Sequence, residues 1–409
     1  MTPPIRMFVS IALLSVFFGS LLAQQQTPTN VQDGVAVPFL PTSTPPSPLP
    51  SPTSTTVSGL APLTPTPVPP APLQPGTATQ RPPFALPSPQ PSGAGAALAI
   101  TPAPAGAPLD PHFGVDVSNP QFLARSLDVM GVPWYIDYSY GINDLPPGFQ
   151  KALKVPSNPR APLADLAATA KARPGMYWVV GNEPNVPGQD DLDPDVSVET
   201  LRYYAEAIKA ADPTAKLVGP EILNFDFTCT GCAGFRTGRS WLQAFRSTYQ
   251  QRYGTEPPLD VWSIHTYDLK WDTLPQGDYR LQTDQIAALR AYLDETPALR
   301  AAPIWLTEFA VVWGYDSITW FNRGDGAFAQ PNGAFRADHL AAYLTDMVNW
   351  LRANAAPLHI ERWFVFSSHG YKEPWATGPA GVYLVDGLAD NARLTDLGQL
   401  YRSLAALPR

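Results

Sequence analysis

The chain has 409 residues with a formal net charge of −8, and 49 of its residues are proline. A negatively charged chain without a basic stripe is not expected to bind nucleic acid, whose phosphates attract clusters of Lys and Arg. Proline removes a backbone donor and fixes φ, and its concentration before residue 110 divides the chain into regions of different character.

Residues 1–23 have the layout of an export signal. A short start that contains Arg6 precedes an apolar run that continues to Ala23, as in secretory signal peptides. Leu21 is bulky for a position three residues before a cleavage site, and the run is close to the minimum length that spans a bilayer. A cleaved signal and a retained membrane tether therefore both stay open. In either case we expect an extracellular or cell-surface protein.

Residues 24–109 consist almost entirely of Pro, Thr, Ser, Ala, Gly, Leu and Val, and Asp33 and Arg81 are their only charged residues. Helices and sheets do not propagate through such a composition. We predict a disordered, extended Pro/Thr/Ser-rich linker that holds the rest of the chain away from a membrane or wall.

Residues 110–409 are predicted to form one (β/α)8 TIM barrel of the α/β class, because apolar strand-like runs alternate with helical spacing. Helical spacing is clearest at residues 201–208, 340–351 and 397–404. A doubly wound open sheet is the competing architecture, although no G-x-G-x-x-G fingerprint follows the first strand. The predicted strands cover residues 113–117, 134–137, 176–180, 216–221, 261–265, 304–307 and 363–366, with one more near 152–155.

No metal or cofactor is expected from the sequence. The cysteines, Cys229 and Cys232, lack the two further ligands of a zinc site and the setting of a redox motif. In an exported chain they are predicted to form a disulfide. The acidic segment 191–195 lacks the Gly and Glu of a calcium-binding EF-hand, because Val196 and Arg202 stand there. We interpret it as the acidic start of a helix.

Two glutamates, Glu183 and Glu308, each follow a short apolar run that is typical of a buried parallel strand. Function in a (β/α)8 barrel gathers at the C-terminal strand ends, so other polar residues at those ends are candidates as well. Asp116, at the end of the first strand, is one of them. Paired carboxylates at neighbouring strand ends can perform acid–base and nucleophilic chemistry on a glycosidic bond.

Three motifs carry a family resemblance: Gly-Asn-Glu-Pro at 181–184, Ile-His-Thr-Tyr at 264–267 and Trp-Leu-Thr-Glu-Phe at 305–309. Their order and spacing resemble the retaining clan A glycoside hydrolases, most closely family 39-like and family 128-like proteins. In that clan the acid/base follows an Asn on strand four and the nucleophile ends strand seven. The resemblance spans residues 110–409, and it implies Glu183 as acid/base and Glu308 as nucleophile.

The resemblance also implies roles around the two glutamates. Asn182 would bind the sugar 2-hydroxyl, Tyr267 would hold the Glu308 carboxylate, and His265 would line the same wall. His265 and Tyr267 could equally be satisfied core residues. The clan's usual Trp at the end of strand eight is missing from Ser-Ser-His-Gly at 367–370.

Aromatic residues are frequent in the predicted loops after strands seven and eight, where Trp313 and Trp375 are candidates for stacking on sugar faces. Packing of the loops themselves is the alternative. The sequence thus predicts a monomeric retaining glycosidase that acts on a β-linked oligo- or polysaccharide. The rival hypothesis is a surface carbohydrate-binding protein on the same barrel, without turnover.

Overall fold

A computed structural model describes eight segments of the globular region. Residues 1–108 lie outside them, so the export signal, the linker and the boundaries of the three regions stay predictions. No helix in the described part of the chain is long and apolar enough to cross a membrane. The described segments are 109–117, 123–142, 148–229, 234–269, 279–311, 337–369, 384–386 and 391–406.

Eight parallel strands form a closed barrel, in which each strand pairs with the next and β8 pairs with β1. This confirms the predicted (β/α)8 architecture, and the open doubly wound alternative is wrong. The strands are β1 (Phe113–Asp116), β2 (Trp134–Ile136), β3 (Gln150–Val155), β4 (Tyr177–Val180), β5 (Lys216–Leu223), β6 (Val261–Tyr267), β7 (Ile304–Ala310) and β8 (Ile360–Phe366).

Seven α-helices lie in the described segments, and buried apolar residues on them join the main core around the strands. A short antiparallel pair, β9 (Val385–Asp386) and β10 (Arg393–Leu394), precedes the last helix. The helices are α1 (Leu123–Met130), α2 (Leu163–Ala172), α3 (Pro194–Ala211), α4 (Gly238–Tyr253), α5 (Arg280–Asp294), α6 (Ala337–Leu358) and α7 (Asp396–Ala405).

The acidic segment before α3 begins that helix, as the sequence indicated. Pro194 occupies its first turn, where a missing backbone N–H costs nothing. Arg236 forms ion pairs with Asp191 at 3.3 Å and with Asp193 at 2.9 Å. These carboxylates therefore have a protein cation as partner, which agrees with the interpretation as a helix start.

Several strands are longer than the apolar runs that predicted them. β6 continues to Tyr267 and β7 to Ala310, so His265 and Glu308 lie within strands. At the other end β8 begins at Ile360, three residues before the predicted start. Polar residues interrupt the apolar pattern at these places. His265 and Glu308 are nevertheless buried and Arg362 is partly buried, and the ladder continues through all three. The uncertain third strand is confirmed at residues 150–155.

The N-terminal end of the barrel is closed by aromatic rings around a cation. The Arg362 guanidinium carbon lies 4.0 Å from the ring centre of Trp134, 4.7 Å from that of Trp305 and 5.1 Å from that of Tyr177. Cation–π contacts of this kind are favourable when the cation is desolvated. The floor of the barrel is therefore packed, which leaves the C-terminal mouth for a site.

Candidate active site

The barrel mouth brings together six of the residues predicted for the site. All of them are buried except Asn182, which is partly exposed. The other two, Trp313 and Trp375, lie outside the described residues, and their proposed stacking on sugar stays a prediction. The six are Asp116 on β1, Asn182 and Glu183 after β4, His265 and Tyr267 on β6, and Glu308 on β7.

The backbone after β4 is pressed against β5. Gly181 has φ 109°, and a Cβ at this position would stand 2.5 Å from the carbonyl oxygen of Pro220. Glu183 follows with φ 50°, a left-handed conformation that non-glycine residues adopt at a cost of about 1–3 kcal/mol. Asn185 ties the same turn to β5, because its amide exchanges hydrogen bonds of 2.9 and 3.0 Å with the backbone of Leu223.

His265 connects the two glutamates. Its Nδ1 lies 2.9 Å from Oε1 of Glu183 and 3.4 Å from Oε2 of Glu308. One carboxylate oxygen of each glutamate and a ring nitrogen of His265 all lie within 4.8 Å of one another. The second oxygen of Glu183, Oε2, accepts no hydrogen bond from the described residues. Glu183 therefore has one oxygen that is fixed by His265 and one buried oxygen that has no hydrogen-bond partner among the described residues.

Glu308 is held from both sides by phenols. The hydroxyl of Tyr267 donates to Oε2 over 2.5 Å, and that of Tyr138 donates to Oε1 over 2.7 Å. Burial raises the pKa of both tyrosines, and the negative charge of Glu308 raises it further. Both phenols therefore stay protonated and act as donors. Two O–H donors thus fix both oxygens of Glu308.

A buried lysine lies behind these groups. Lys154 on β3 forms an ion pair with Glu221 on β5, at 2.7 Å between Nζ and Oε2. Its Nζ also donates to Oδ1 of Asn182 over 2.6 Å, while the Asn182 amide nitrogen donates to Gln189 over 2.7 Å. The orientation of Asn182 is thus set by two partners, which fixes the carbonyl oxygen on the Lys154 side.

His265 and its neighbours oppose the effect of burial on the pKa of Glu183, Glu221 and His265. Burial raises the pKa of Glu183 above its usual value, although the hydrogen bond and charge of His265 act against it. Burial alone would also raise the pKa of Glu221, but the charges of Lys154 and His265 lower it to about 2. In the same way, Glu308 and Glu221 outweigh burial at His265 and raise its pKa to about 10.

Asp116 is fully buried, and its two carboxyl oxygens accept no hydrogen bond from any described residue. Burial raises the pKa of this carboxyl well above its usual value, and the charge of Glu308 adds to the effect. Protonation removes the large cost of burying an unpaired charge. The structure thus places Asp116 in the mouth as a neutral acid, and its predicted contact with a sugar stays a prediction.

Glu183, His265 and Glu308 have the atoms and the spacing that could surround a metal ion. A histidine ligand must be neutral, however. The Nδ1 of His265 already lies at hydrogen-bond distance from Glu183, so it would have to give up this contact and any proton on it to bind a metal.

Three important residues were not recognised in the sequence. Tyr138 follows the short strand β2 with φ 57°, and no motif marks it. Lys154 lies in β3, the least certain strand, and a lysine in a strand ordinarily indicates solvent. Glu221 ends a predicted strand, and it is fully buried beside His265. Its position at the end of an apolar run was the available signal.

The cysteine prediction stays open. Cys232 lies outside the described residues, so the proposed disulfide with Cys229 remains a prediction. The structure describes Cys229 at the end of the segment that follows β5.

Comparison with known proteins identifies the family. Residues 132–401, about two thirds of the chain, match the family described as "Glycosyl hydrolase catalytic core". The chain belongs to this family. Together with the closed barrel and the paired carboxylates at its mouth, this makes the protein a glycoside hydrolase. A comparison with curated protein sequences found no match.

Solved structures agree with the predicted resemblance to family 128. The chain is similar to a GH128 (subgroup II) endo-beta-1,3-glucanase from Pseudomonas viridiflava, with 25% identity and a TM-score of 0.51 over 72% of this chain and 98% of that one. A second GH128 subgroup II endo-beta-1,3-glucanase, from Sorangium cellulosum, has 21% identity and a TM-score of 0.49, over 72% and 98% of the two chains.

Proposed function

We propose that this glycoside hydrolase cleaves β-1,3-linked glucan by double displacement with retention of anomeric configuration. The observation that carries the mechanism is the short separation of Glu183 and Glu308, because one carboxylate oxygen of each lies within 4.8 Å of one of the other. Retaining glycosidases hold their carboxyl groups about 5–5.5 Å apart, whereas inverting enzymes need about 6.5–9.5 Å to accommodate a water.

In the first step a carboxylate oxygen of Glu308 attacks the anomeric carbon. The bond from that carbon to the leaving oxygen breaks, and Glu183 gives its proton to that oxygen. The sugar is then joined to Glu308 as an ester. The raised pKa of Glu183 supports the acid role, and the two tyrosine donors on Glu308 support the role of nucleophile.

In the second step water attacks the same carbon, and its proton passes to Glu183, which is now a carboxylate. The ester bond breaks, Glu308 regains its negative charge, and the free sugar leaves. Oε2 of Glu183 is the atom that would carry the proton in both steps, because it has no hydrogen-bond partner among the described residues and Oε1 is engaged with His265.

The substrate class is supported by the similar structure at 25% identity, which is described as an endo-beta-1,3-glucanase. The neutral Asp116 and the oriented Asn182 supply polar contacts for sugar hydroxyls at the mouth. Trp313 and Trp375 would add stacking surfaces, as proposed from the sequence.

The experiment is a digestion of laminari-oligosaccharides, with cello-oligosaccharides as the linkage control, followed by proton NMR of the first product. We expect hydrolysis of the β-1,3 linkage and a β-anomer that appears before mutarotation. Glu308→Gln should lose hydrolysis by orders of magnitude while it still binds the oligosaccharide. An α-anomer as first product would contradict the role given to Glu308. Binding without hydrolysis by the wild type would favour the carbohydrate-binding alternative.

A further inference from the structure

His265 is a fully buried side chain that has carboxylates on both of its ring nitrogens. Nδ1 faces Glu183 at 2.9 Å and Glu308 at 3.4 Å, and Nε2 faces Oε1 of Glu221 at 3.5 Å. A neutral imidazole has one N–H donor and one lone pair. Whichever nitrogen lacked the proton would turn its lone pair toward a carboxyl oxygen. Only the doubly protonated ring presents a donor to both sides.

Glu221 lies on the side of His265 that is away from the two reacting glutamates. It is fully buried on β5, and its other oxygen is paired with Lys154 at 2.7 Å. A buried carboxylate is tolerated only when it is paired. The Glu221 side chain therefore connects the cation on β3 with the imidazole on β6. Its backbone carbonyl also accepts the N–H of Glu183 at 2.9 Å, a contact that a change of the side chain leaves in place.

We propose that Glu221 is a positioning residue that holds His265 as an imidazolium, and that this cation fixes Glu183 and Glu308 at the separation that double displacement requires. The inference rests on the proposed function and adds to it a residue that does not touch the substrate. The imidazolium Nδ1 donates to Glu183 and lies 3.4 Å from Glu308, so one cation contacts both reacting carboxyl groups.

The surrounding charges favour this assignment. Every carboxylate near the ring attracts the cation, and Lys154, which would repel it, is engaged with the far oxygen of Glu221. The pKa of His265 is raised in spite of its burial. Glu183, Glu221 and Glu308 contact the ring, and Asp116 on β1 is near enough to feel its charge. Tyr138 after β2, Lys154 on β3 and Tyr267 on β6 are the other titratable groups of the same cluster, and they contact those carboxylates.

The test is Glu221→Gln, which keeps the shape of the side chain and removes its charge. The titration of His265 is followed by NMR on protein with isotope-labelled histidine. The chain has five histidines, and the His265 signal is assigned by its disappearance in His265→Gln. In the wild type we expect this ring to stay charged up to about pH 9. In Glu221→Gln its pKa should fall by about one unit or more, since an opposite charge nearby is lost.

The activity should follow the same titration. For Glu221→Gln we expect kcat to fall about tenfold or more, with KM little changed, because positioning acts on the transition state. The alkaline side of kcat/KM reports two protons, that of Glu183 and that of His265, and the part that coincides with the loss of the His265 proton should move to lower pH. A purely structural role for Glu221 would lower stability without moving this part.

Asp137→Asn is the matched control. Asp137 forms a similarly buried ion pair with Lys151, at 2.7 Å between Oδ1 and Nζ. Its loss also leaves a buried lysine without its carboxylate, but Asp137 has no described contact with His265. We expect this variant to leave the His265 titration and the shape of the pH profile unchanged, whatever it does to stability.

A His265 ring that keeps its charge in Glu221→Gln, or a pH profile identical to that of the wild type, would overturn the proposal. If Glu221→Gln does not fold, the NMR titration of His265 in the wild type is the test. A ring that loses its proton below about pH 8 would contradict the imidazolium. The proposed function fails separately. An inverted first product from the wild type would refute double displacement and leave the His265 titration unaffected.

Discussion

The close approach of β4 to β5 at Gly181 can be tested with one methyl group. In Gly181→Ala the new Cβ would stand 2.5 Å from the carbonyl oxygen of Pro220, at a backbone φ of 109°. The neighbour is backbone in the wall of a closed barrel, so it cannot rotate away as a side chain would. The strand ends must separate, and Glu183 lies two residues further along the chain.

The cost has two parts. A positive φ costs a residue with a Cβ about 1–2 kcal/mol, and overpacking against a rigid neighbour costs about 1–3 kcal/mol more. Gly254 provides the control, because it also has a positive φ, 72°, but a Cβ there meets nothing within 4 Å. Gly254→Ala should therefore lose only the first part. The expected difference between the variants is about 1–3 kcal/mol.

The assay is denaturant unfolding of both variants, together with kcat on a laminari-oligosaccharide. Gly181→Ala should be the less stable protein and should lose about tenfold or more in kcat, because small displacements of reacting groups are costly. Gly254→Ala should keep the kcat of the wild type. Equal stabilities for the two variants would refute the steric reasoning, and full activity in Gly181→Ala would show that this contact does not position Glu183.

Three further outcomes are expected. Tyr267→Phe removes a donor from Glu308 and should lower kcat about 10–100-fold, since a hydrogen bond to a charged group contributes about 1.5–3 kcal/mol; an unchanged kcat would contradict the positioning of Glu308. Lys154→Met should cost about 3–5 kcal/mol at pH 7, because the buried Glu221 loses its nearest counter-ion. That deficit should shrink toward pH 4, where Glu221 of the variant takes up a proton. In the wild type the lowered pKa of Glu221 gives stability that is present above the pKa of the unfolded chain and is lost as pH falls toward the folded pKa. Denaturant unfolding at pH 7 and pH 4 measures the deficit, and an equal deficit at both would argue against an ionised Glu221. Because the pKa of Glu183 is raised, kcat/KM should decline as pH rises through that pKa, and an alkaline limb that persists in the residual activity of Glu183→Gln would assign it to another group.

The architecture could be predicted because parallel strands in a barrel are buried on both sides and leave apolar runs in the sequence. Glu183 and Glu308 were recognisable because each follows such a run within a motif at barrel spacing. His265 and Tyr267 could be assigned to the same wall, but their geometry could not. Whether a histidine is a core residue or a bridge between carboxylates depends on which side chains three other strands direct toward it.

Tyr138, Lys154 and Glu221 show what the sequence could not supply. Lys154 is tolerated in a buried strand only because Glu221, 67 residues later, provides its counter-ion. Neither residue indicates the other along the chain. Strand boundaries were misjudged for a related reason, since Glu308 and Arg362 lie in buried strands where an apolar pattern predicts an end. A polar residue that a local pattern assigns to a loop can therefore lie in a buried strand when a residue distant in the sequence pairs with it.

The cation at the barrel floor has a consequence for how this protein can change. Arg362 and the rings around it lie at the opposite end of the strands from Glu183 and Glu308. Stability drawn from the floor does not depend on the loops that follow the C-terminal strand ends. Substitutions in those loops can therefore alter which sugar is accepted while the barrel keeps its fold, and a weakened floor would reduce the number of such substitutions that the protein tolerates.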